Sequence, residues 1–320
     1  MKMIPCLFLT AVMASTAVYA APSEGPFLAT GIKIGEVDQT SAIIWVRLTK
    51  RDKRIGAEAQ LPVILYLNQE TGEYEPRKGS SRASRTPKVI YPEGSDISTI
   101  EGATPGTGGR VRLKYKKAGT TDWQKIDWQT VDPEKDYTHR FKVTGLSPGA
   151  AYEMKVEAAP LQGEAVTASI DGKFKTAPAK DAEAAVNFIV TTGTSYNDKE
   201  SDAGYQFYGS ALKLDPEFFV HTGDILYYDG YAKTKELALW HWDRQYSLPN
   251  HVDFHRQMTS YFIKDDHDTW CNDCYPGQKT RFMGEFTYEQ GTEIFLYEVP
   301  MGEKTYRTVR WGKDLQIWMV

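Results

Sequence analysis

Between residues 27 and 176, apolar positions recur in short runs and often at every second residue. The segment FLATGIKIGEVDQTSAIIWVRLT (27–49) alternates at Ile32/Ile34 and again at Ile43/Trp45/Arg47, around a polar turn at Asp38-Gln39-Thr40. A period of two puts alternate side chains on one face of a strand, so this segment reads as a β-hairpin or a sandwich edge. Residues 61–67, 111–116, 123–128, 139–143, 152–158 and 169–176 read as further strands. Many short strands with turn residues between them predict an all-β sandwich over 25–178. Residues 68–110 are polar and rich in Gly, Pro, Ser and Thr, and long for a connecting loop, so they read as an insertion within that domain.

The pattern changes after the Ala- and Pro-containing linker 177–182. VNFIV (186–190) and FFVH (218–221) are bounded apolar runs, as expected of buried strands. Tyr205, Tyr208, Ala211 and Leu212 fall at helical spacing, and Thr234 stands where it would cap a helix running to about Tyr246. Residues 258–264, 306–309 and 315–320 read as strands. Strands alternating with helices predict an α/β domain over 185–320. The expected fold class is therefore multidomain, an N-terminal all-β sandwich followed by an α/β domain. The chain stops inside its last strand with no turn behind it, which predicts an α/β domain incomplete at its C-terminus.

The 320 residues are 41% hydrophobic and 25% charged, an ordinary globular composition. A net charge of -4 gives no ground for nucleic acid or an anionic membrane as partner. Lys2, the apolar run 4–12 and the small-x-small end Val18-Tyr19-Ala20 make residues 1–20 a secretory signal peptide, with cleavage expected after Ala20. Its apolar core is too short for stable membrane insertion. The expected location is secreted or periplasmic. Cys6 leaves with the signal, and Cys271 and Cys274 remain. In an oxidising compartment, a disulfide bracing their loop is the expectation. Zinc would need two more ligands than these cysteines offer.

Two stretches concentrate the chemistry. FFVHTGDILYYD (218–229) delivers Asp224 at the end of a strand, with Tyr227 and Asp229 close behind. YFIKDDHDTWCND (261–273) delivers Asp265, Asp266, His267 and Asp268, followed by Asn272. Ligand sites of open α/β sheets gather at the C-terminal strand edge. Three acids around one histidine are costly to hold together unless a cation neutralises them. Asp224, Asp266 and Asn272 are read as oxygen ligands. Tyr227 offers a phenolate, which suits a hard ferric ion. His267 is read as a proton or hydrogen-bond donor to a phosphate oxygen, and Asp268 as the group that orients its imidazole. His221 is either next to the ligands or simply buried. His241 is read as structural, His139 as a surface residue, and His251 and His255 as weak ligand candidates. No Gly-x-Ser-x-Gly elbow and no Gly-x-x-x-x-Gly-Lys-Ser/Thr loop is present, which argues against an α/β-hydrolase and a nucleotide-driven engine.

GDILYYD (223–229) and DDHDTWCND (265–273) resemble the metal motifs of PhoD-type alkaline phosphatases and phosphodiesterases, of the calcineurin-like metallophosphoesterase superfamily. GEVDQTSAIIWVRLT (35–49) is similar to the opening strands of the β-sandwich that precedes the catalytic domain there. Leu146-x-Pro148-x-x-x-Tyr152 resembles the tyrosine corner of fibronectin type III modules. The resemblance implies a secreted enzyme that hydrolyses phosphate mono- or diesters, small-molecule substrates, through attack by a metal-activated hydroxide or oxo group. It implies iron together with calcium, with Asp224 as the bridging carboxylate and Tyr227 as the phenolate ligand of iron. Asp266 falls at a ligand position and His267 at the phosphate-contacting histidine. The sequence departs from the family at Thr192-Gly193-Thr194, where family members have an iron-binding cysteine, and in lacking the late histidine and acidic ligands. These departures keep two alternatives open: a related ester hydrolase such as a sulfatase, or a non-catalytic extracellular binding module.

Overall fold

A computed structural model describes residues 24–77, 85–163 and 165–320. The predicted signal peptide, 1–20, lies outside the described residues. In chain order the elements are β1 (Ile32–Gly35), β2 (Ser41–Arg47), β3 (Val63–Leu67), β4 (Tyr74–Pro76), β5 (Pro87–Ile90), β6 (Arg110–Lys117), β7 (Gln124–Thr130), β8 (Thr138–Thr144), β9 (Ala151–Ala159), β10 (Ala168–Lys175) and β11 (Phe188–Thr191). Then follow α1 (Gln206–Lys213), β12 (Phe218–His221), α2 (Lys235–Tyr246), α3 (Pro249–His255), β13 (Thr259–Phe262), α4 (Tyr288–Glu298), β14 (Arg307–Trp311) and β15 (Leu315–Met319).

One six-stranded sheet, ordered β11-β12-β13-β1-β2-β8, organises the molecule. Its strands β11, β12 and β13 are parallel neighbours, as expected of an α/β unit. The sheet does not stop at the linker. Strand β1 pairs in parallel with β13, Ile34 opposite Thr259 and Gly35 opposite Ser260, and β2 and β8 extend the sheet antiparallel. Expected as two units in sequence, the sandwich and the α/β part are joined in one mixed sheet. Hydrogen bonding between strands far apart in sequence leaves no mark in local periodicity.

Alternation along the strands decides what covers each face. Ile32 and Ile34 of β1 and Ile44 and Val46 of β2 point to one side, where Val111, Leu113, Met154, Val156 and Phe174 of the sheet β10-β9-β6-β7 meet them. Here two sheets pack face to face around a core. At its corner, the Ser147 N–H donates to Tyr152 Oη at 2.8 Å, the backward reach expected of Tyr152. On the same side, further along, Phe218, Val220 and Tyr261 pack on Val309, Trp311 and Met319 of the β14–β15 hairpin. The other side bears the helices. Trp45 and Phe262 pack with Trp242, Tyr246, Ile294 and Phe295 of α2 and α4. Phe219 packs with Tyr208 of α1 and Phe254 of α3.

Helix ends follow local chemistry. Thr234 caps α2, accepting the Leu237 N–H at 3.4 Å. Thr287 and Gln290 form a reciprocal capping box on α4, which satisfies two otherwise unpaired backbone donors. Within 68–110, β4 and β5 flank β3 in a small three-stranded sheet. No helix among the described residues is long and apolar enough to cross a membrane.

Candidate metal centre

The site forms where β12 and β13 end side by side. His221 lies opposite Phe262 in register, so the loops leaving the two strands start next to each other. The first loop turns at once. Gly223 has φ +101, and a Cβ there would lie 2.4 Å from the Asp265 Cβ, so only glycine lets the loops touch. Asp224 also takes a left-handed conformation, φ 54, which Asp tolerates better than most residues. A non-glycine residue held there is a strained position of the kind that clusters at functional sites.

Asp268 ties the two loops together from inside. It is fully buried, and its carboxylate accepts the Ile225 N–H at 3.1 Å and the Asp265 N–H at 2.8 Å. Burial pushes its pKa up to about 7 against the pull of those two donors. The expectation that Asp268 orients the His267 imidazole is therefore corrected. Both its oxygens are committed to backbone, and it is a positioning residue.

Asp229 takes that role. Its Oδ2 lies 2.5 Å from His267 Nδ1, and its Oδ1 accepts the Asn272 N–H at 3.2 Å. Burial lowers the His267 pKa, but the hydrogen bond and charge of Asp229 outweigh it, and the net shift is upward. With Nδ1 taken by Asp229, Nε2 is the ring nitrogen left for a ligand. The spacing of Asp229 from Asp224 in GDILYYD is the signal the sequence offers; the pairing with His267 spans 38 residues and leaves none.

Asp224, Asp266 and His267 each offer a ligand atom, and these atoms all lie within 4.8 Å of one another. Asp224 Oδ1 is buried and has no hydrogen-bond partner among the described residues. Burying a carboxylate oxygen unpaired is costly, and a cation removes that cost, so the residues present fit a metal ion. Burial raises the Asp224 pKa, with Asp265 and Asp266 adding to the effect and His267 and Tyr227 opposing it. Tyr227 donates its hydroxyl to Asp224 Oδ2 at 3.1 Å. Burial and the Asp224 charge push its phenol up to about 12, so near neutrality it is a neutral donor.

Asp266 is held by backbone, accepting the His267 N–H at 2.9 Å and also the Asp273 N–H. Asn272 enters through its backbone N–H, while its side-chain amide donates to Asp273. Cys271 is buried in the core and the Cys274 thiol is turned to the Asp266 carbonyl at 3.5 Å, so no disulfide joins them, contrary to expectation. The Thr192-Gly193-Thr194 turn also abuts the site. The Thr194 N–H donates to the Asp224 carbonyl at 2.9 Å, and its Oγ1 meets His221 Nε2 at 2.9 Å. A Cβ at Gly193 would come within 3.4 Å of Tyr227 Oη, so position 193 faces the centre with no side chain to offer. His251 and His255 are buried in α3, their ring centroids 4.2 Å apart, and belong to the core.

No protein-family model and no curated protein matches the sequence. Among solved structures, the chain is similar to PhoD at 16% identity, with a TM-score of 0.61 over 92% of this chain and 51% of that one. It is similar to purple acid phosphatase PPD1 of yellow lupin (Lupinus luteus) seeds at 12% identity, with a TM-score of 0.51 over 88% of this chain and 42% of that one. The chain thus spans about half the length of the structures it matches. At these identities the likeness is one of fold.

Proposed function

We propose that this chain, with the fold shared by PhoD and purple acid phosphatase, is the metal-binding part of an exported phosphoesterase acting on small phosphate mono- or diesters. The observation that carries the reading is the convergence of Asp224, Asp266 and His267 within 4.8 Å, with one Asp224 oxygen buried and unpaired. Residues 1–20 support export as a secretory leader.

Asp224 and Asp266 would hold the cation, with Tyr227 and Asn272 beside them. A bound cation supplies charge neutralisation at the phosphoryl oxygens and acidifies a water. Iron with calcium is the pairing favoured by the sequence resemblance, Tyr227 being the group suited to ferric iron. His267, fixed by Asp229, presents Nε2 to a phosphate oxygen. Its pKa is raised, the direction that favours the protonated ring for that contact. Asp268 and Gly223 keep the two loops in register, so that the carboxylates stay convergent.

The test is hydrolysis of p-nitrophenyl phosphate and bis-p-nitrophenyl phosphate by the full-length protein, with and without chelator. Chelator-sensitive hydrolysis is expected, with Asp224→Asn and Asp266→Asn each lowering kcat/KM by roughly a hundredfold or more. Turnover indifferent to chelator and to both substitutions would refute the reading.

A further inference from the structure

Tyr227 has a second neighbourhood. Besides bonding Asp224 through its hydroxyl, it lines a cavity of about 70 Å³ whose other walls include Asn197, Tyr231, His241 and Arg244. About 10–15 Å³ is enough for one water, so this space suits a group the size of an oxyanion and excludes a nucleobase.

The walls carry directed polar chemistry. Arg244 and His241 of α2 are 4% and 6% exposed. His241 Nε2 is buried with no hydrogen-bond partner among the described residues. Burial, with Arg244 and Lys233 nearby, keeps that imidazole neutral, and a neutral ring can offer an N–H. The Arg244 guanidinium lies 3.6 Å from the Tyr196 ring centroid and 4.6 Å from that of Trp240, which fixes its plane.

Charge is unbalanced there. Arg244 Nε is 3.2 Å from Glu101 Oε2, an ion-pair distance without hydrogen-bond alignment. Arg54 Nη2 takes Glu101 Oε1 at 2.7 Å, and the Tyr196 hydroxyl donates to that same oxygen. Two guanidinium groups therefore share one carboxylate. Asp198, Asp224 and Asp266 act on the Tyr227 wall and Asp229 on His241, so the cationic side of the cavity is the one at Arg244. A buried excess of positive charge is costly unless an anion meets it.

We propose that this cavity is an anion subsite adjoining the metal centre, taking a second phosphate group of a substrate whose scissile phosphate lies at Asp224 and Asp266. The inference rests on the phosphoesterase reading for the scissile phosphate, and it narrows the substrate class to compact bisphosphates. Arg244 supplies the charge, His241 an N–H, and Asn197 guards the exposed mouth.

The test uses inorganic phosphate as probe, titrated calorimetrically into the full-length protein with chelator present, so that no bound metal contributes. Wild type is expected to bind phosphate, and Asp224→Asn, which removes a nearby negative charge, to bind it at least as well. Arg244→Gln should weaken binding by about tenfold or more, the loss of one charge-assisted contact. Asn197→Asp, an isosteric change on an exposed turn, should weaken it severalfold by adding negative charge. If Arg244→Gln is unfolded by circular dichroism, Asn197→Asp decides. Absence of phosphate binding by the wild type overturns the proposal, as does binding by Asn197→Asp equal to wild type or loss of binding in Asp224→Asn. Metal content and p-nitrophenyl phosphate turnover, measured separately, report on the phosphoesterase reading itself.

Discussion

The Asp229 carboxylate joins the two loops of the centre, one oxygen 2.5 Å from His267 Nδ1 and the other accepting the Asn272 N–H at 3.2 Å. The same carboxylate raises the His267 pKa against the effect of burial. Asp229→Asn keeps the shape and removes the charge. Metal affinity or turnover is expected to fall by about 10–100-fold, the usual cost of losing a partner behind a ligand. The sign of the titration effect is fixed: the wild-type pair stabilises the fold below the ordinary histidine pKa and loses that contribution as pH rises through the raised folded value. In the metal-free protein, NMR titration of the His267 ring should show a lower pKa in Asp229→Asn. An unchanged pKa would contradict the assignment.

Gly291 connects α4 to the centre. A Cβ on it would lie 1.6 Å from the Thr269 carbonyl oxygen, backbone that follows directly on the ligand loop. Gly291→Ala must push residues 265–273 away from the helix. Overpacking of this kind costs about 1–3 kcal/mol. A lowered denaturant midpoint with weakened metal binding is expected; unaltered metal affinity would show that the loop is not held by this contact.

Arg47 is buried on β2 between two acids, its Nε 2.7 Å from Asp136 and its Nη2 3.0 Å from Asp243. Removing one partner of a buried pair strands the others. Arg47→Ala is expected to cost about 3–5 kcal/mol in chemical denaturation. A loss under about 1 kcal/mol would mean that the acids are neutral in the fold.

His255 is fully buried, its Nδ1 2.9 Å from Ser260 Oγ, and burial, then Lys33 and His221, holds its pKa well below the ordinary 6.5. The unfolded chain takes up a proton near 6.5 that the folded chain refuses, so the wild type loses stability as pH falls from there. His255→Gln removes this penalty. The stability gap between wild type and variant should narrow by about 1.4 kcal/mol per pH unit below that point. Parallel pH profiles would contradict it.

Much of this was legible because it is local. The strand before Asp224, expected over 218–221, is β12, and the run expected over 258–264 contains β13. Alternation at Ile32/Ile34 and at Ile43/Trp45/Arg47 marked the hairpin that β1 and β2 form. Four features were hidden for one reason: they depend on partners distant in sequence. The β1–β13 pairing links positions such as Ile34 and Thr259. Asp229 reaches His267 only after two loops fold against each other. Lys33, on a strand that reads as half-exposed, is fully buried with its ammonium 3.5 Å from the Tyr246 ring centroid. Glu101, within the polar insertion, is buried where it pairs with Arg54 and Arg244 from two other segments.

The central claim is that Asp224 and Asp266 hold a cation beside His267. The most direct measurement is the metal content of purified protein after dialysis, by mass spectrometry of the elements, for wild type and Asp224→Asn in parallel. The account predicts stoichiometric metal in the wild type and its loss in a variant that keeps its circular dichroism. A wild type without stoichiometric metal, or an Asp224→Asn variant that retains it, would contradict the claim.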